Sequence, residues 1–183
     1  MKHNLKIIAI MTVLFLLAQF VGLYIADFYA AKELPYDIQK PQFQERTSYI
    51  SVFAAILIAT FLATVLIKFN AEKLWKIWFF ISVWFALLIS FSAFIKQEIA
   101  LLIALFVAIL KVFKPNVIVH NFAEIFIYGG LAALFSHSLS IFAVSILLIL
   151  ISIYDMIAVW KTKHMIKLAK FQTRVKVFAG LLI

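Results

Sequence analysis

The stretch Leu139-Ser140-Ile141-Phe142-Ala143-Val144-Ser145-Ile146-Leu147-Leu148-Ile149-Leu150-Ile151-Ser152-Ile153-Tyr154-Asp155-Met156-Ile157-Ala158-Val159-Trp160 decides the fold. It holds one charged residue, Asp155, and ends against Lys161 and Lys163. A helix rises about 1.5 Å per residue, so about 20 apolar residues match the hydrocarbon core of a bilayer. A helix that is apolar on every side over such a length is a membrane span or the centre of a large protein. At 183 residues, this is not a large protein.

Five more apolar stretches lie outward of it, at about residues 7–26, 48–67, 75–95, 99–110 and 117–135. Together the six predict an all-α, polytopic transmembrane bundle forming one membrane domain over residues 1–183. Composition agrees: 66% of residues are hydrophobic and 14% charged, against roughly 45–50% and about 25% in soluble domains. Alternating strand patterns are absent, which argues against an outer-membrane barrel. There is no cysteine, which excludes disulfides, thiol catalysis, iron–sulfur clusters and Cys-based zinc sites.

The net charge of +9 would point to nucleic acid in a soluble protein. Here the basic residues gather beside the spans, and no basic–aromatic module stands outside them, so no nucleic-acid partner is expected. Lys2, Lys6, Lys68, Lys73, Lys76, Lys111, Lys114, Lys161, Lys163, Lys167, Lys170, Arg174 and Lys176 fall on one side; Lys32, Lys40, Arg46 and Lys96 fall on the other. The positive-inside rule therefore expects a multi-pass protein of the cell membrane with a cytoplasmic N-terminus and a cytoplasmic basic segment over 161–176. Residues 7–26 follow Lys2 and Lys6 as a signal peptide would, but the apolar run exceeds the ~7–15 residues of a signal core and reads as a retained span. Residues 27–46, with Pro35 and Pro41, read as an external loop. The stretch 99–110 is short, and spanning is expected only if Lys111 and Lys114 snorkel to the interface. No internal repeat supports an inverted-repeat transporter. Residues 177–183, Val-Phe-Ala-Gly-Leu-Leu-Ile, read as the start of a seventh span.

Of the eight acids, Asp27, Glu33, Asp37, Glu45, Glu72 and Glu98 fall in loops or at span ends. Glu124 and Asp155 fall at membrane depth. Asp155 precedes Lys161 by six positions, roughly 9 Å inside the basic boundary. An ionised carboxylate in a span costs about 2.5–3.5 kcal/mol on insertion scales, so it needs a task or a partner. Three readings stand: a functional group, a carboxylate bonded to a neighbouring helix or to Ser152, or a protonated acid. Glu124, near His120 and Asn121, reads as part of an interfacial polar cluster. His120 and Glu124 form an i,i+4 pair, but two ligands are too few for a metal site. His137, between Ser136 and Ser138, reads as a turn residue, and His164 as a solvated part of the basic segment. There is no Gly-rich phosphate loop and no Gly-x-Ser-x-Gly elbow. No metal or cofactor is expected.

The context of Asp155 narrows the readings. The run Ile151-Ser152-Ile153-Tyr154-Asp155-Met156-Ile157-Ala158-Val159-Trp160-Lys161-Thr162-Lys163-His164-Met165-Ile166 resembles the first active-site segment of the presenilin and signal peptide peptidase family, the Gly-x-Gly-Asp type of intramembrane aspartyl protease, and its archaeal members most of all. Tyr154-Asp155 matches the family's Tyr-Asp pair in the sixth of nine spans. Lys176-Val177-Phe178-Ala179-Gly180 and Asn121-Phe122-Ala123-Glu124-Ile125-Phe126-Ile127-Tyr128-Gly129-Gly130 are also similar to that family. The likeness covers roughly residues 121–183, and the N-terminus-inside orientation is the presenilin one.

The resemblance implies an intramembrane aspartic endopeptidase that cleaves transmembrane helices of other membrane proteins. Asp155 would be catalytic and Tyr154 its neighbour at the site. The departure is that the family's second aspartate and its Pro-Ala-Leu motif are absent, and no Asp follows Asp155. The expected partners are therefore substrate membrane proteins, the bilayer, and further C-terminal spans carrying the second aspartate. A chain carrying only the first of the two catalytic aspartates is expected to be inactive alone. The competing expectation is a small transporter or channel using Asp155 and Glu124 as proton or ion relays.

Overall fold

A computed structural model describes residues 4–43, 47–136 and 138–182. Seven α-helices are found among them: α1 (Leu5–Phe28), α2 (Ser48–Lys68), α3 (Glu72–Ser92), α4 (Gln97–Phe113), α5 (Val117–Phe135), α6 (Ile141–Trp160) and α7 (His164–Val175), with a 3-10 turn at Pro35–Asp37. No strand occurs among the described residues. The protein is an all-α polytopic bundle. Helices α1, α2, α3, α5 and α6 are long and apolar enough to cross a membrane. Helix α4, at 17 residues, extends past the apolar stretch at both ends and stands at the lower limit of the ~17–25 residues that span.

Local chemistry sets the helix starts. Asn4, Asn116 and Ser140 each cap a helix, accepting from the backbone N–H of Lys6, Ile118 and Ala143, which satisfies donors that lack an intrahelical partner. Lys163 and Lys176, both in the left-handed region (φ 55° and 57°), bracket α7.

Two compact units are present. The first comprises residues 1–40, 79–136 and 179–183. Within it α1 and α5 pack along each other, and small residues allow the approach. A Cβ on Gly130 would sit 2.2 Å from the Ala86 carbonyl oxygen of α3, and one on Gly129 would sit 2.5 Å from Ile25 Cδ1. Close backbone approach through small residues is the usual means of helix association in lipid, where no hydrophobic force acts between spans. Polar side chains add bonds to opposing backbone: the Tyr29 hydroxyl donates to the Ile89 carbonyl at 2.9 Å, and Ser90 donates to the Phe126 carbonyl. Phe91, Phe94, Phe122 and Phe126 fill the space between α3 and α5 with edge and tilted ring contacts.

The second unit comprises residues 41–78 and 137–178. Here α6 packs on α2, and α7 packs on both. Helix α7 is amphipathic. Its Phe171 and Val175 are buried, and the Phe171 ring meets Trp75 edge-on at 5.7 Å. Arg174 pairs with Glu72 at 3.1 Å and donates to Asn70 Oδ1. Residues 161–176, read from sequence as a solvated basic segment, thus contain a helix. Residues 176–182 are not helical.

Candidate functional site

Helix α6 carries Asp155 a turn and a half before its end. The Asp155 side chain is exposed, and among the described residues it makes no hydrogen bond or ion pair. Neither Ser152 nor a neighbouring helix holds it, so the reading of Asp155 as a residue bonded within the fold is not borne out.

Tyr154, about 100° around the helix from Asp155, turns inward. Its ring meets Phe53 of α2 edge-on at 6.2 Å, and its hydroxyl lies 2.9 Å from His164 Nε2. His164 Nδ1 is 2.6 Å from Thr162 Oγ1, which in turn donates to the Ala158 carbonyl. All three bonds form together when Nδ1–H donates to Thr162 and Thr162 donates to Ala158, with Nε2 either accepting from the Tyr154 hydroxyl or donating to it. Tyr154 and His164, with Leu57, Thr60, Phe61 and Thr64 of α2, line a cleft of about 240 Å³.

His164 is thus half-buried and bonded to the tyrosine beside the candidate aspartate. This corrects its reading as a solvated basic-segment residue. The ten-residue spacing gives no helical register with Tyr154; only the reversal at Lys161–Lys163 brings the two together.

A second polar cluster lies in the first unit. Lys111 donates to Glu124 Oε1 at 2.6 Å, with side chains 1% and 2% exposed. Lys111 does not snorkel: helix α4 points its ammonium at α5, and the partner acid supplies what water would have supplied. Glu124 is likewise buried, and His120 stands beside it with Nε2 3.7 Å from its carboxylate. Tyr128 follows Glu124 by one turn on the same helix. The Lys111 ammonium lies 3.2 Å from His120 Nδ1, and His120 Nε2 lies 2.7 Å from the Gly180 carbonyl. Donation from the ammonium to Nδ1 and from Nε2–H to Gly180 satisfies both contacts. The Asn121 amide then meets both backbone groups of Leu182, donating from Nδ2 to the carbonyl at 2.6 Å and accepting its N–H at 2.8 Å. The cluster fastens residues 180–182 to α5.

Among the described residues no three of His, Asp, Glu or Cys come together to hold a metal. His137 lies outside the described residues, as do Lys2, Glu45 and Arg46.

These features define a class: a multi-pass helical membrane protein with an accessible aspartate, Asp155, inside an apolar helix. Comparison with protein families refines it. Residues 9–182 match the family described as signal-peptide peptidase, presenilin aspartyl protease. The chain belongs to this family of intramembrane aspartyl proteases. No curated protein and no solved structure matches it.

Proposed function

We propose that the protein is an intramembrane aspartic endopeptidase that cleaves transmembrane helices, with Asp155 as one of its two catalytic carboxylates and Tyr154 beside it. The observation that carries this reading is the placement of Tyr154-Asp155 in α6 of a chain belonging to the aspartyl protease family, with the carboxylate accessible. Peptide hydrolysis by carboxylates needs two of them. One takes a proton from water as the water oxygen adds to the scissile carbonyl. The other, protonated, donates to the carbonyl oxygen. Collapse of the tetrahedral species expels the amine, which takes a proton. Two such groups about 3 Å apart cannot both ionise, so they titrate as a pair.

Asp155 supplies one group. Glu124, held by Lys111, is not accessible to supply the other. No Asp follows Asp155 in the sequence. The reading therefore calls for a second aspartate outside residues 1–183, in further spans of the nine-span arrangement that the resemblance implies. It also places the N-terminus in the cytoplasm and the protein in the cell membrane, supported by the 13-to-4 partition of the 17 Lys and Arg residues.

The test is cleavage of a single-span substrate in liposomes by the protein expressed with its downstream coding sequence. Wild type is expected to cleave and Asp155→Asn to lose cleavage to background. Undiminished cleavage by Asp155→Asn would refute the assignment. Turnover by residues 1–183 alone would refute the two-aspartate part of it.

A further inference from the structure

Packing of α7 joins two basic clusters about 90 residues apart in sequence. Lys68 ends α2, and Lys73 and Lys76 fall in the first turns of α3. Helix α7 and its flanks bring Lys161, Lys163, Lys167, Lys170, Arg174 and Lys176. The Arg174–Glu72 and Arg174–Asn70 contacts and the Trp75–Phe171 ring contact hold α7 against the turn between α2 and α3. Glu72 is the one acid among these residues, and Arg174 already occupies it. Lys161, Lys163, Lys167 and Lys170 are exposed.

Helix α7 turns its apolar face to the protein and its basic face outward. At 100° per residue, Lys167, Lys170 and Arg174 fall within about 60° of one another, while Leu168, Phe171 and Val175 centre roughly a quarter turn away. Phe171 and Val175 are buried and Leu168 half-buried. The preceding span ends at Trp160, which is exposed, as befits a ring at the membrane–water boundary. Three residues separate that boundary from α7, so the lysines stand at headgroup depth. A cluster of Lys and Arg directly after a span, on an amphipathic helix, is the arrangement that attracts anionic lipid.

We propose that this basic end of the second unit binds the phosphate groups of anionic phospholipids, with Lys163, Lys167 and Lys170 as the principal contacts. The inference is independent of the proteolytic reading. Charge complementarity favours a lipid occupant because the lysines sit against a membrane-crossing helix rather than on a projecting domain.

The probe is phosphatidylglycerol against phosphatidylcholine, added to the detergent-solubilised chain and read as lipid adducts by native mass spectrometry. Wild type is expected to retain phosphatidylglycerol in preference to phosphatidylcholine. Lys163→Gln/Lys167→Gln/Lys170→Gln is expected to weaken that retention by more than about tenfold. The Lys→Arg triple variant should restore it, which separates lost charge from lost folding. Lys96→Gln/Lys114→Gln, removing two exposed lysines elsewhere, should leave retention unchanged. Equal retention of the two lipids by wild type would overturn the proposal. So would an equal loss in the Lys96/Lys114 variant, or displacement of phosphatidylglycerol by an acidic peptide that the wild type binds more tightly.

Discussion

At the scale of single residues, the two acids at membrane depth have opposite fates. Asp155 is accessible and unbonded among the described residues, whereas Glu124 is closed in by Lys111 and His120. Removing one partner of a buried ion pair strands the other charge, at about 3–5 kcal/mol. Lys111→Ala is therefore expected to lower the unfolding midpoint in detergent markedly, and Lys111→Met/Glu124→Leu to recover most of the loss, since an apolar pair of similar volume carries no desolvation penalty. Thermal unfolding followed by circular dichroism checks this; a double variant as unstable as the single one would contradict it. Tyr154→Phe deletes one hydrogen bond to His164 and keeps the ring contact with Phe53. It should lose only about 0.5–1.5 kcal/mol, read as a small shift in the same midpoint.

At the scale of elements, the glycines of α1 and α5 are not equivalent. A methyl group at Gly130 would run into the Ala86 backbone, which has no rotamer to yield. Gly130→Ala is expected to destabilise by about 1–3 kcal/mol or more through forced separation of α3 and α5. At Gly22 the nearest atom to an added Cβ is Gly129 Cα at 3.9 Å, an ordinary contact. Gly22→Ala should be neutral or stabilise by up to about 1 kcal/mol, because alanine restricts the unfolded chain. The opposite signs of the two variants, measured side by side, test the packing of α5. Asn121 offers a further check. Its amide protects the Leu182 N–H, so Asn121→Ala should speed hydrogen exchange there by about tenfold, the equivalent of one bond of roughly 1.4 kcal/mol. Equal exchange in both proteins would remove the clamp on residues 180–182.

At the scale of the whole molecule, the charge partition carries a topological prediction. A reporter that fluoresces only in the cytoplasm, fused ahead of Met1, is expected to be bright, and the same reporter inserted between Lys32 and Pro41 to be dark. The reverse pattern would exclude the orientation under which α7 faces the cytoplasm. The many exposed Phe, Ile and Leu residues on α1, α2 and α6 fit a molecule whose outer surface meets lipid, and the chain is expected to stay in the pellet after alkaline carbonate extraction.

By itself the sequence determined that the chain is helical, that it lives in a bilayer, and that Asp155 is the residue to watch. Those conclusions rest on the length of the apolar runs and on the Tyr154-Asp155 context, all of which are local in the chain. The tertiary structure decided which polar residues are available. Lys111, placed near the end of a short apolar stretch, reads from sequence as a snorkelling residue; packing of α4 on α5 delivers it to Glu124 instead. His164 reads as one more solvated basic-segment residue until the reversal at Lys161–Lys163 sets it against Tyr154. The two basic clusters become one surface only because Arg174 finds Glu72 across a separation of about 100 residues. Pairings of this kind depend on which helix faces meet, and a sequence of nearly uniform apolarity carries little periodic signal to say which faces those are.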